Sequence, residues 1–132
     1  MTENDRYTAC LEAMYGLRRF GIKLGLETIQ GILRTLGNPQ DGYRVVHVAG
    51  TNGKGSVASA LASILIASGY RVGLYTSPHL VRFNERICID NQPIQDGDVI
   101  RAYEAVRQAP DGDREPTFFE FATAMALYEF GR

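Results

Sequence analysis

Tyr43-Arg-Val-Val-His-Val-Ala-Gly-Thr-Asn-Gly-Lys-Gly-Ser56 decides the reading of this chain. Its first half, Tyr43 to Ala49, is β-branched and nearly continuous in apolar residues, the pattern of a parallel strand covered on both faces. Gly50 to Gly55 is a glycine-rich turn. Val57 to Ser68 then reads as a helix closed by Gly69, where a left-handed C-terminal cap is common. Arg71 to Thr76 reads as a second strand. Residues 43–76 thus predict a βαβ unit, whose crossover is right-handed in nearly all proteins.

A glycine-rich turn between a strand and a helix is the setting of a phosphate-binding loop. Glycines let backbone N–H groups converge on an anion without Cβ clashes, and the helix start turns its positive end toward the same point. Gly50, Thr51, Asn52, Gly53, Lys54, Gly55 and Ser56 are therefore candidate nucleotide-binding residues. Lys54 is the candidate for neutralising β/γ-phosphates, and the hydroxyl of Ser56 or Thr51 for approaching a phosphate oxygen or Mg²⁺. The pattern G-x-x-x-x-G-K-[ST] is matched imperfectly. Val48 stands where its first glycine belongs, and Gly55 follows the lysine in place of Ser or Thr. The plainer alternative is a glycine-rich βα turn with one solvated lysine.

Working outward, residues 4–19 carry Tyr7, Leu11, Met14, Tyr15 and Leu17 at helical spacing. Gly21 and Gly25 bracket a short link, Ile22-Lys23-Leu24, before a second helix from Leu26 to Leu36 that stops at Gly37-Asn38-Pro39. Downstream, Ser77 to about Glu85 is a long loop, Arg86 to Asp90 a short strand and Asn91-Gln92-Pro93 a turn. Val99 to Ala109 is a helix capped by Asp96 or Asp98, Pro110 to Pro116 a linker, and the last helix runs from Thr117 past Phe130. The fold class is α/β: the N-terminal part of a P-loop, mostly parallel, doubly wound nucleotide-binding domain preceded by two helices. Its segments are a helical lead-in (1–40), the βαβ unit (43–76), a loop with a short strand (77–95) and closing helices (96–132). A parallel sheet is normally larger than two strands, so the expectation is the first piece of a longer protein.

Composition narrows the function classes. The 132 residues suit one domain, and 14 Lys+Arg against 15 Asp+Glu leave a net charge of -1, without the basic excess of a nucleic-acid binder. Apolar residues at 45% and charged residues at 22% exclude global disorder. Cys10 and Cys88 form neither a disulfide framework nor a metal knuckle, which makes a reducing cytoplasm the default. No apolar run approaches the about 18 residues of a membrane span, and the polar, acidic start Met1 to Asp5 is unlike a secretory signal.

Val46-His-Val-Ala-Gly-Thr-Asn-Gly-Lys-Gly-Ser56, followed by Tyr75-Thr-Ser-Pro-His-Leu-Val-Arg-Phe-Asn-Glu-Arg-Ile87, resembles folylpolyglutamate synthase/dihydrofolate synthase. That family belongs to the Mur-ligase-like ATP-dependent amide ligases. Ile22-Lys-Leu-Gly-Leu-Glu27 and Thr117-Phe-Phe-Glu-Phe121 resemble two of its pterin-contacting segments. The resemblance runs from about residue 5 to the end, and its most specific part is Ser77 to Ile87. It implies a cytoplasmic, monomeric enzyme, central-domain-like among Mur ligases. Such an enzyme adds L-glutamate to dihydropteroate or to a folate γ-carboxylate through an acyl phosphate. It implies Thr51, Asn52, Gly53 and Lys54 on ATP, with Lys54 catalytic, and Ser77 on Mg²⁺. It assigns Ile22, Lys23, Leu24 and Gly25 with Thr117, Phe118, Phe119 and Glu120 to the dihydropteroate or folate. It implies small-molecule substrates, with no nucleic acid and no membrane. It also implies that further Mg²⁺ ligands, an active-site lysine and the C-terminal glutamate-binding domain lie outside these residues, so this segment alone does not complete the reaction.

Plainer readings stand beside these. Thr117-x-x-Glu120 before an apolar run is a capping box. Phe118 and Phe119 read as core, with pterin stacking as the alternative. Ser77 before Pro78 reads as a turn, His79 as a hydrogen-bonding loop histidine, His47 as a satisfied core histidine, and Arg82, Glu85 and Arg86 as loop-ordering ion pairs. Cys10 and Cys88 read as small buried hydrophobes. Rival functions are another Mur-type amino-acid ligase, a non-catalytic ATP- or folate-binding module, and a P-loop phosphotransferase, which Gly55 argues against.

Overall fold

The structure, a computed structural model, describes residues 1–17, 25–109 and 114–132. These divide into two compact units, one of residues 1–43 with 96–132, the other of residues 44–95.

The first unit is helical. α1 (Glu3–Tyr15) starts at Thr2, whose hydroxyl accepts the Asp5 N–H while the Asp5 carboxylate accepts the Thr2 N–H. This reciprocal cap satisfies two donors that a helix start otherwise leaves open. Tyr7, Cys10 and Met14 form its buried stripe at helical spacing. α2 (Glu27–Thr35) buries Ile32 and Leu33, and a 3₁₀ turn follows at Pro39–Gly42. α4 (Asp96–Arg107) buries Val99, Ile100, Ala102 and Val106. Asp96 and Asp98 sit inside its first turn rather than before it, where their charge still suits the positive helix end.

α5 (Phe118–Phe130) is the centre of this unit: α1, α2, α4 and the 3₁₀ turn all pack on it. Its small residues Ala122, Ala124 and Ala126 admit close neighbours, and Met125 is fully enclosed. Buried Glu129 is paired: Arg101 Nε donates to Oε1 at 3.3 Å and Nη2 to Oε2 at 3.0 Å. That pairing is what a carboxylate out of water needs. Tyr43 closes the unit by donating its hydroxyl to the Leu127 carbonyl at 2.8 Å, and burial pushes its pKa up to about 12.

The second unit holds α3 (Lys54–Ala67) and a sheet of β1 (Gly73–Tyr75), β2 (Ile87–Ile89) and β3 (Gln92–Pro93) in that order. Both pairings are antiparallel, with Leu74 opposite Cys88 and Ile89 opposite Gln92. The β2–β3 turn is Asp90-Asn91, with φ of 51° and 66°. Two successive positive φ values make the primed turn that matches strand twist, and Asn and Asp tolerate it. The expected turn at Asn91-Gln92-Pro93 is therefore one residue earlier, with Gln92 and Pro93 in the strand.

Tyr43 to Ala49, expected as a buried parallel strand, has no regular secondary structure, and Val45 and Val46 are exposed. A strand exists only where a neighbour takes its N–H and C=O groups, and no described residue forms a ladder with this segment. His47, expected in the core, is exposed for the same reason. The sheet seen is antiparallel, so the parallel βαβ pairing of residues 43–76 does not form among the described residues. Helix and sheet together keep the chain in the α/β class.

Candidate nucleotide-binding site

Gly53 is the N-terminal cap of α3 and has φ of 70°, a left-handed value that a side chain would strain. Gly50 also has positive φ, at 153°. No side chain caps α3, and the first intrahelical bond is Val57 N–H to the Gly53 carbonyl at 2.9 Å. The N–H groups of Lys54, Gly55 and Ser56 therefore have no acceptor one turn back, as at every helix start. A Cβ built on Gly53 or Gly55 meets nothing within 4 Å, so neither glycine is there for packing. Gly50 to Ser56 are all exposed. Open space at the glycines, uncapped N–H groups and the positive helix end are the features that an anion-binding loop uses, which makes Gly50 to Ser56 the candidate site.

Ser77 lies in the same unit, exposed, at the end of the β1 segment, and its bond to Pro78 is cis. The loop beyond it is ordered by Glu85. One of its oxygens accepts the Leu80 N–H at 2.9 Å, the other those of Val81 at 3.2 Å and Arg82 at 2.9 Å. These bonds, Arg82 and Leu80 foremost, hold the Glu85 carboxyl below the usual range. The loop-ordering role expected for Glu85 includes these three backbone donors. Buried Arg86 donates Nε–H to His79 Nδ1 at 2.7 Å, and His79 meets the buried Phe83 ring edge-on. His79 is thus the hydrogen-bonding loop histidine that was expected.

The segments that the resemblance gives to the pterin belong to the helical unit. Ile22, Lys23 and Leu24 lie outside the described residues, and Gly25 is exposed. Thr117 and Glu120 form the expected capping box: Thr117 N–H to Glu120 Oε1 at 3.0 Å and Glu120 N–H to Thr117 Oγ1 at 3.1 Å. Arg114 adds a bidentate pair to the Glu120 carboxylate at 2.8 and 2.9 Å. Burial pushes the Glu120 carboxyl up, and the Arg114 and Thr117 donors outweigh it, so its pKa lies below the ordinary value. Phe118 is buried and stacks on Tyr15 at 5.4 Å between centroids. Phe119 is 54% exposed and is not core, because adjacent helical positions face about 100° apart. Arg114 and the His79–Arg86 bond were missed from sequence. Arg114 was hidden in a linker, six positions before its partner, where no periodicity marks a pair.

The chain is 44% identical over 130 residues to folylpolyglutamate synthase of Lacticaseibacillus casei, taking in 94% of this chain and 30% of that enzyme. The solved structure of folylpolyglutamate synthase from Thermotoga maritima matches with a TM-score of 0.90 at 41% identity, over 98% of this chain and 31% of that one. These similarities are to the folylpolyglutamate synthase/dihydrofolate synthase family. A folylpolyglutamate synthase solved with AMPPCP and folate matches this chain with a TM-score of 0.87 at 45% identity, over 94% of it and 32% of that chain. The α/β fold is that of the N-terminal domain of these Mur-ligase-like proteins. The chain spans between 16% and 30% of the length of the curated relatives it matches first. No family profile matches the chain.

Proposed function

We propose that this chain is the nucleotide- and acid-binding part of a ligase that joins L-glutamate to dihydropteroate, to a folate γ-carboxylate, or to both, consuming ATP. The observation that carries the reading is the glycine-lined, uncapped start of α3 with Lys54 at its first position. Support comes from relatives solved with AMPPCP and folate in one case and with ADP in another.

A carboxylate is a poor electrophile. Transfer of the γ-phosphoryl group to it makes an acyl phosphate, the glutamate amine attacks the carbonyl carbon, and phosphate leaves. The phosphoryl oxygens gain charge as the group moves, and fixed donors aimed at them lower that barrier. In this reading Gly50, Thr51, Asn52, Gly53, Gly55 and Ser56 hold the phosphates, and Lys54 is the catalytic cation. Thr117, Phe118, Phe119 and Glu120, with Ile22 to Gly25, hold the pterin acid. Of the two rings Phe119 is the more exposed, and Phe118 stacks on Tyr15.

Mg²⁺ belongs to the same proposal. Among the described residues no three His, Cys, Asp or Glu side chains are grouped to hold a metal. The exposed Ser77 hydroxyl is the candidate ligand. One oxygen suits a hard cation that keeps several waters and takes phosphate oxygens. When bound, the ion would neutralise charge on the nucleotide. We extend the reading, on the resemblance, to a monomeric cytoplasmic enzyme. No helix among the described residues is long and apolar enough to cross a membrane.

The test uses the product of the native gene, expressed to its natural stop codon, with ADP release followed in Mg-ATP. Release that needs both glutamate and a pteroate-type acid supports the ligase reading. Dihydropteroate against tetrahydrofolate then shows which glutamate is added. Nucleotide binding without such release favours a binding module and overturns it. The isolated 132-residue chain is expected to bind nucleotide without ligating glutamate.

A further inference from the structure

Ser77 is the candidate metal ligand, and an exposed loop hydroxyl can ligate only where its backbone is fixed. The residues on either side of Ser77-Pro78 are both tied to a single residue, Arg86. On one side the Thr76 N–H donates to the Arg86 carbonyl at 3.0 Å, one step beyond the β1–β2 ladder. On the other side the Arg86 Nε–H donates to His79 Nδ1 at 2.7 Å. Arginine has no acceptor, so the direction of that bond is forced and Nδ1 must carry the lone pair. Arg86 is itself buried, with its guanidinium 6.0 Å from the centre of the enclosed Phe83 ring, and the same ring meets His79 edge-on at 6.1 Å. Immediately after His79, Glu85 fixes the next backbone N–H groups. By contrast Leu80 and Val81 present their side chains to solvent.

We propose that His79 is a positioning residue for the Ser77 hydroxyl, acting through Arg86. The four-residue span Thr76 to His79 is closed onto Arg86 at both ends, so Ser77 is held between two anchored neighbours. The histidine supplies the one anchor made by side chains, and Nδ1 is the atom that supplies it. The inference rests on the ligase reading for what Ser77 does, but the clamp is a property of the loop alone.

Two measurements on the full-length protein separate the two. The first is hydrogen exchange at Thr76 to Arg82 without metal or nucleotide. His79→Leu is expected to speed exchange there about tenfold, and His79→Asn, which keeps an acceptor at the Nδ1 position, to stay near wild type. The second is Mn²⁺ affinity of the nucleotide-bound protein, read by spin resonance. Groups that orient a ligand typically cost about 10–100-fold in metal affinity when lost. His79→Leu is expected at about the low end, with nucleotide affinity in chelator unchanged and most of the loss restored in His79→Asn. Unchanged exchange and unchanged Mn²⁺ affinity in a folded His79→Leu protein would overturn the clamp. Faster exchange without weaker metal binding would overturn the link to Ser77. Should His79→Leu not fold, Asn is compared with Gln, whose acceptor stands one methylene further out; equal Mn²⁺ affinity in those two also overturns it. Absence of glutamate-dependent ADP release from the wild type speaks against the ligase reading alone.

Discussion

α5 and α3 are apolar helices of 13 and 14 residues with opposite fates. α5 buries Phe118, Phe121, Ala122, Ala124, Met125, Ala126 and Glu129; α3 buries Ala62 and leaves Val57 and Ile64 exposed. Their sequences do not foretell this, since both read as helices with apolar residues on most sides. What differs is partners. Three helices pack on α5 within its unit, whereas in its own unit α3 has the three-residue strand β1 as neighbour. Apolar composition states what a helix can bury, and only neighbours decide what it does bury. The run Tyr43 to Ala49, exposed from Arg44 to His47, teaches the same lesson for a strand.

That contrast can be broken or sharpened by substitution. The largest effect belongs to the open end of α3. Lys54→Ala in the full-length protein is expected to lower turnover by about 10²–10³-fold, the usual loss for a removed charge-stabilising group, with the thermal midpoint unmoved. Near-normal turnover would take Lys54 out of the mechanism. In α5, Met125 is 0% exposed, so Met125→Ala should cost about 2–5 kcal/mol in denaturant unfolding. A loss under about 1 kcal/mol would mean α5 is not the centre of its unit.

Smaller effects lie at the α5 start. Thr117→Ala removes a cap and is expected to cost about 1 kcal/mol. Glu120 adds a pH dependence whose sign is set by its lowered pKa. The ionised form is the one held by Arg114, so its contribution is present above the ordinary value of 4.5 and lost as pH falls through the lower folded pKa. Wild type should therefore lose more stability than Glu120→Gln on acidification below 4.5, and parallel losses in the two would show that the pair contributes nothing. The smallest effect returns to α3: Ile64, 63% exposed, should tolerate Ala within about 0.5 kcal/mol. A core-sized loss there would show α3 covered in solution.

Much of the candidate site was legible because its signals are local. Thr117 with Glu120 marks a reciprocal cap acting within three residues, and the glycine-rich turn marks a helix start, although α3 begins at Lys54 rather than at the expected Val57. The type of all five α-helices and of β1 and β2 was legible for the same reason, although α1 stops at Tyr15, short of the expected end. The two-residue turn at Asp90-Asn91 was nearly so, displaced by one position.

What the sequence determined by itself is therefore the set of local devices: helix starts, the glycine turn before α3, and the loop motif from Ser77 to Ile87 that carries the family. What only the tertiary structure decided is which of these devices found partners. It left Tyr43 to Ala49 without a ladder among the described residues, buried Phe118 but not Phe119, and set Arg114 on Glu120 and Arg86 on His79. The reason is physical. A cap or a positive φ is satisfied by atoms a few bonds away, whereas a strand ladder, a buried ring or a paired guanidinium depends on groups brought close by the fold, and no periodicity in the chain records them.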